Sequence, residues 1–251
     1  MLLPINLTLA STHSAEASNG MKNKILFSLG FLALSLMFVN VASAHQPRLV
    51  YKAVSTIDIP FVIQTPDISQ AFYGQFKEAK AEYYKVTLPA EQNLYLSLLT
   101  PDNTEAAKEV SAQVIKLNSP DSDIKMSLNG QKFTWKKYYE DYAGDNYYQG
   151  PSLEKKLPAG DYLITVTAKD NVGKYVLVTG KTEAFPFKEA VKTLFALPSL
   201  KMGFFGTSFF SVFAGIIGKY LLYSLIGLLV IVLLVIGLVW YFIRRRKNLN
   251  K

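Results

Sequence analysis

From Arg48 to Gly180 apolar and polar positions alternate in short runs rich in β-branched and aromatic residues, broken by Gly, Pro, Asn, Asp and Ser. A period of two predicts strands over Arg48–Val54, Ile57–Ile63, Ala71–Phe76, Glu82–Leu88, Asn93–Leu99 and Val110–Leu117. It continues over Ile124–Leu128, Lys132–Trp135, Asp161–Thr167 and Lys174–Thr179. The clearest run puts Tyr162, Ile164 and Val166 on one face. Asn129-Gly130 suits a type I′ turn, so Ile124–Trp135 is expected to be a hairpin. Many short strands with turns between them predict a mainly β chain, an antiparallel, jelly-roll-like β-sandwich.

After Gly180 the period changes. Phe187, Val191, Leu194 and Phe195 fall on one face of a short helix, opposite Lys188, Glu189 and Lys192, with Pro186 and Pro198 at its ends. This helix is expected to cap the sandwich or lie on a membrane. Met202 to Gly218 is uncharged, bracketed by Lys201 and Lys219, and interleaves Phe204, Phe205, Phe209, Phe210 and Phe213 with Gly and Ser. An interfacial or re-entrant segment and a second span are both open for it. Tyr220–Ile243 has no charge and, as a helix, reaches about 36 Å, enough to cross a bilayer core. Tyr220 and Tyr223 at one end and Trp240 and Tyr241 at the other are interfacial aromatics, and Arg244, Arg245, Arg246 and Lys247 follow at once. The positive-inside rule places that end in the cytoplasm, which a second span would reverse.

The first apolar run has a different character. Lys22 and Lys24 precede Ile25–Val41, and Ala42-Ser43-Ala44 fits a cleavage site, so residues 21–44 are expected to be a signal peptide and His45 the mature start. Residues 1–20 carry no Lys or Arg and are expected to be an extension ahead of the true start at Met21. The expected organisation is an ectodomain over 45–181, a juxtamembrane segment over 182–219, a span over 220–243 and a basic tail over 244–251.

The formal charge of +8 changes meaning once it is located. Residues 1–44 and 45–201 each carry a net +1, and residues 202–251 carry +6. The ectodomain is nearly neutral, which argues against nucleic acid as a partner. There is no cysteine, and the one Asn-x-Ser/Thr site, at Asn6, precedes the expected signal peptide. Both point to a bacterial envelope and the cytoplasmic (inner) membrane.

Two stretches resemble a known family. Ala81-Glu82-Tyr83-Tyr84-Lys85-Val86-Thr87-Leu88-Pro89-Ala90 resembles the opening strand and turn of prepeptidase-C-terminal-type β-sandwiches. Pro158-Ala159-Gly160-Asp161-Tyr162-Leu163-Ile164-Thr165-Val166, with Gly173–Val178, is similar to their closing pair. The resemblance covers about residues 70–180 and implies an accessory module with a binding or stabilising role.

Candidate chemistry is sparse. With no cysteine and one histidine after residue 44, neither a catalytic triad nor an HExxH zinc site can be assembled, and no phosphate-binding loop occurs. The chain is therefore read as non-enzymatic and without a cofactor. A hydrolase using two carboxylates is a distant alternative. His45, exposed by cleavage, could chelate copper through its imidazole and α-amine, against the simpler reading of a solvated terminus. Tyr138, Tyr139, Glu140, Asp141, Tyr142, Asp145, Tyr147 and Tyr148 combine flat apolar rings with hydrogen-bonding groups, as a sugar- or peptide-binding surface does. The competing expectation is that alternate tyrosines plug the core. Ser119–Asp123 offers too few oxygens for calcium and is expected to be a turn.

These readings predict a membrane-anchored envelope protein whose partners are the lipid bilayer and an envelope protein or glycan. The alternative is an accessory subunit of a membrane complex docking through residues 186–243.

Overall fold

The computed structural model describes residues 45–119 and 123–249. The expected signal peptide and its leader, most of the Ser119–Asp123 turn, and the last two residues lie outside that range.

Among the described residues, eleven strands form two sheets. Sheet A contains β1 (Gln46–Leu49), β3 (Gln70–Gln75), β11 (Lys174–Thr179), β5 (Gln92–Pro101), β9 (Asp145–Leu157) and β8 (Lys136–Glu140), in that spatial order. Sheet B contains β2 (Phe61–Ile63), β4 (Glu82–Leu88), β10 (Gly160–Thr167), β6 (Ser111–Lys116) and β7 (Ile124–Leu128). Pairing is antiparallel except at the edges, where β1 runs parallel to β3 and β2 to β4. The chain is mainly β, a sandwich as its alternation predicts.

Strand β10 shows how pattern becomes packing. Tyr162, Ile164 and Val166 all point into the space between the sheets, where they meet Tyr84, Val86, Leu94, Leu96, Val114 and Leu177. Tyrosines enter this core because each hydroxyl finds a partner: Tyr84 and Tyr175 bond each other at 2.8 Å, and Tyr162 donates to Pro158 O at 2.8 Å.

Strand β11 breaks the alternation, and every residue in it is buried. The reason is a second apolar layer on the outer side of sheet A, where Tyr73, Tyr147, Val176 and Val178 meet Tyr51, Leu200, Phe204 and Phe205. Helix α1 (Phe187–Pro198), a π-helical turn (Ser199–Phe204) and a 3₁₀ turn (Phe209–Phe213) build this side, and helix α2 (Ile216–Leu249) follows.

Two expectations need correction. Residues Ile124–Trp135 do not form a hairpin: β7 pairs with β6, and β8 begins only at Lys136, beside β9. Neither Asn129 nor Gly130 takes positive φ. Asn129 Oδ1 instead accepts the N–H groups of Gln131 and Lys132, an Asx turn that leads the chain away. The strands expected over Arg48–Val54 and Ile57–Ile63 shrink to β1 and β2, because Tyr51 leaves the ladder to pack on Phe204. In α1 the face turned to the sandwich holds Thr193 and Leu197, while Phe187, Leu194 and Phe195 look outward.

Candidate functional site

The tyrosine-rich stretch forms β8, the β8–β9 turn and the start of β9. Its rings divide. Tyr147 is buried and its hydroxyl lies 3.1 Å from that of Tyr73; Tyr142 and Tyr148 are half-buried; Tyr138 and Tyr139 are 41% and 48% exposed. No single row of aromatics results, because neighbours along a strand point to opposite faces; the turn between the two strands is occupied by another part of the chain.

That part is the start of α2. The Ile216 N–H donates to Asp141 O at 3.0 Å and the Ile217 N–H to Tyr142 O at 3.1 Å, so two unpaired donors of the helix N-terminus end on the turn. Such contact needs two backbones at van der Waals distance, and both sides supply glycine. A Cβ on Gly215 would stand 2.3 Å from Ala143 C, and Gly144, at φ +76°, faces Gly215 N.

A buried ion pair reinforces the join. Lys201, wholly buried, donates to Asp145 Oδ1 and to Ala143 O, each at 2.6 Å. Burial pushes the Asp145 carboxyl above its ordinary value, and the Lys201 ammonium pulls it back only in part. Glu140 is raised by burial too, against the N–H groups of Ala143 and Tyr142 that its carboxylate accepts, at 2.8 and 2.9 Å. A second lysine works from the start of β11: Lys174 pairs with Glu105 and donates to Gly203 O at 3.0 Å and Phe204 O at 2.9 Å. Tyr51 donates to Ser199 O, Asn103 to Phe205 O, and Arg48 pairs with Glu189 at 2.9 Å. Together these contacts fasten the sandwich to everything from α1 to the first turn of α2.

Beneath this join lies a cleft of about 50 Å³, with His45, Tyr138, Glu140, Tyr142, Thr193 and Ile217 among its walls. It has room for a few waters and is far below the size of a small-molecule site. His45 Nδ1, the atom a copper chelate with the α-amine would use, is hydrogen-bonded to Ser69 Oγ. Burial lowers its pKa, with Glu183 opposing. Among the described residues no cluster of three or more His, Asp or Glu could hold a metal.

Helix α2 is 34 residues long, and its most apolar 18-residue stretch has a mean hydropathy of 3.0 and is wholly unburied. It is a candidate single membrane span that includes Tyr220, Tyr223, Trp240 and Tyr241. Arg244, Arg245, Arg246 and Lys247 continue the same helix.

Sequence reasoning missed the buried Lys201–Asp145 pair, since a lysine at the edge of an uncharged stretch is ordinarily solvated. It also missed an exposed apolar set, Val54, Ile57, Ile59 and Val62, beside edge strand β2. The alternation that marked Ile57–Ile63 as a strand could have flagged it.

No known family profile matches the sequence, and no curated protein matches it. Among solved structures, the chain is similar to the pre-peptidase C-terminal domain of a Bacillus anthracis collagenase, at 9% identity and TM-score 0.32. That match covers 48% of this chain and 92% of the domain, which is of the type residues 70–180 resemble in sequence. Similarity also extends to Aeromonas hydrophila PliG, a periplasmic inhibitor of g-type lysozyme, at 12% identity and TM-score 0.31. It covers 53% of this chain and 97% of that one. A family 35 carbohydrate-binding module from Clostridium thermocellum matches at 16% identity and TM-score 0.24, over 40% of this chain and 70% of the module.

Proposed function

We propose that this is a non-enzymatic, membrane-anchored cell-envelope protein whose extracytoplasmic sandwich holds a protein or glycan partner at a fixed attitude to the bilayer. The observation that carries this reading is the join between the β8–β9 turn and α2: backbone hydrogen bonds, a glycine contact and a buried ion pair. A module meant to search for its ligand is usually carried on a flexible linker. Here the sandwich and the apolar helix are one body, which favours presentation at a set height and angle. In this reading α2 crosses the inner membrane, Arg244–Lys247 lie in the cytoplasm, and the sandwich faces outward.

Two surfaces distinguish the partner classes. Val54, Ile57, Ile59 and Val62 suit a protein contact, and the exposed rings of Tyr138 and Tyr139, one on each side of edge strand β8, each offer a sugar a flat apolar face. The test presents the full chain in nanodiscs to purified envelope proteins and to a glycan array. Saturable binding lost in an Ile57→Ser/Ile59→Ser variant marks a protein partner, and binding lost in Tyr138→Ser/Tyr139→Ser marks a glycan. A full chain that binds neither class contradicts the proposal.

A second reading is an accessory subunit docking through residues 186–243, favoured by the unburied apolar surface of α2 beyond its first turn. Co-purification with one membrane protein, abolished when Leu222–Val239 is exchanged for another apolar sequence, selects it over the first.

A further inference from the structure

The segment between the sandwich and α2 carries more exposed apolar side chain than a water-facing surface normally does. Phe187 is 85% exposed, Phe195 79% and Phe210 77%, with Leu194, Met202 and Phe209 also open. We propose that these residues form a lipid seat: they enter the interfacial layer of the same bilayer that α2 crosses. The ectodomain then lies with the outer side of sheet A against the membrane and sheet B turned away.

Three observations select lipid over water or another protein. First, the half of the segment next to α2 lacks solvated charge. Between Ser199 and Gly218 the sole charged residue is Lys201, and it is wholly buried against Asp145. Second, its polar side chains are largely satisfied within the segment. Thr207 Oγ1 donates to Lys201 O at 3.0 Å and Ser211 Oγ to Ser208 O at 2.6 Å, and the two hydroxyls lie 2.7 Å apart. Transfer to an apolar layer therefore breaks few hydrogen bonds to water. Third, the patch is continuous with the apolar helix: Phe209–Phe213 is followed by two residues and then by Ile216, the first residue of α2. Lys188 and Lys192 border the exposed Phe195 on the outward side of α1, where amphipathic helices at an interface carry lysine that reaches toward headgroups; Lys192 also pairs with Glu189 at 2.6 Å.

The inference rests on the reading of α2 as a span, and the experiment separates the two. The chain has no cysteine, so single cysteines can be placed at Phe187, Phe195, Phe210, Ser224 and Gln113 without background. Each full-length variant is labelled with an environment-sensitive fluorophore and reconstituted into vesicles of phosphatidylethanolamine and phosphatidylglycerol. Circular dichroism checks the fold, and quenching by lipid-borne nitroxide is compared with quenching by aqueous iodide. The proposal predicts blue-shifted emission, lipid quenching and loss of iodide quenching at 187, 195, 210 and 224, with the opposite at Gln113 on sheet B. Iodide quenching at 187, 195 and 210 with lipid quenching at 224 overturns the seat alone. Iodide quenching at 224 as well overturns the span. Labels at 187, 195 and 210 hidden from both quenchers mean that a second copy or another protein covers the patch, which also overturns the seat.

Discussion

Glu82 is a carboxylate sealed at the start of β4, where its Oε2 accepts the Ser55 N–H at 3.1 Å and the Ser55 hydroxyl. The same hydroxyl accepts the Tyr83 N–H at 2.7 Å, so one serine ties the loop before β2 to β4. Burial raises the Glu82 pKa above 4.5, and the Ser55 bonds and Lys77 offset this in part. A raised folded-state pKa means that the folded protein holds this proton more tightly than the unfolded chain. Its contribution to stability is full below about pH 4.5 and is lost as pH rises through the folded value. Glu82→Gln keeps the acceptor oxygen and removes the charge. The variant should therefore gain on the wild type at neutral pH and lose that advantage on acidification toward pH 4.5. Urea midpoints at a series of pH values measure this, and parallel curves would contradict it. The Lys201–Asp145 pair is buried at both ends. Removing one partner of such a pair costs roughly 3–5 kcal/mol, because the remaining charge is left without its counterion.

At the scale of elements, the join depends on how closely α2 approaches the β8–β9 turn. Gly215→Ala forces a Cβ into Ala143 and should separate them, seen as faster amide exchange at Ile216 and Ile217. Gly227→Ala and Gly237→Ala meet nothing within 4 Å and serve as controls that leave exchange at those amides unchanged. Equal exchange in all three variants would show that the contact does not hold the helix. Most elements were legible in the sequence: β4, β7 and β11 begin and end where the alternation places them. Strands β8 and β9 were not. Gly150, Pro151 and a run of charged residues hide β9 from a propensity reading, although it is the longest strand at 13 residues. The Asn129-Gly130 signal misled because a local side-chain turn satisfied the same residues at lower cost than a hairpin. The apolar stripe of α1 was legible as a stripe while its partner stayed open between sandwich and membrane, since periodicity says which residues share a face and not what covers it.

The described residues form a sandwich in which strands β3 and β11 of sheet A are buried on both sides, with the start of an apolar helix seated in the β8–β9 turn. The tyrosine-rich stretch, legible as unusual from composition alone, divides between that seat and an exposed pair of rings. Lys201 and Gly215 could not be recognised in advance because their roles depend on a turn more than fifty residues away. The central claim is that sandwich and helix move as one body. The most direct measurement is a spin–spin distance distribution between labels at Gln113→Cys in sheet B and Ser224→Cys in α2, recorded on the full chain in nanodiscs. The join predicts a single narrow distribution that broadens when Lys201→Met is added. A broad distribution in the otherwise unaltered protein, or one that Lys201→Met leaves unchanged, would contradict it.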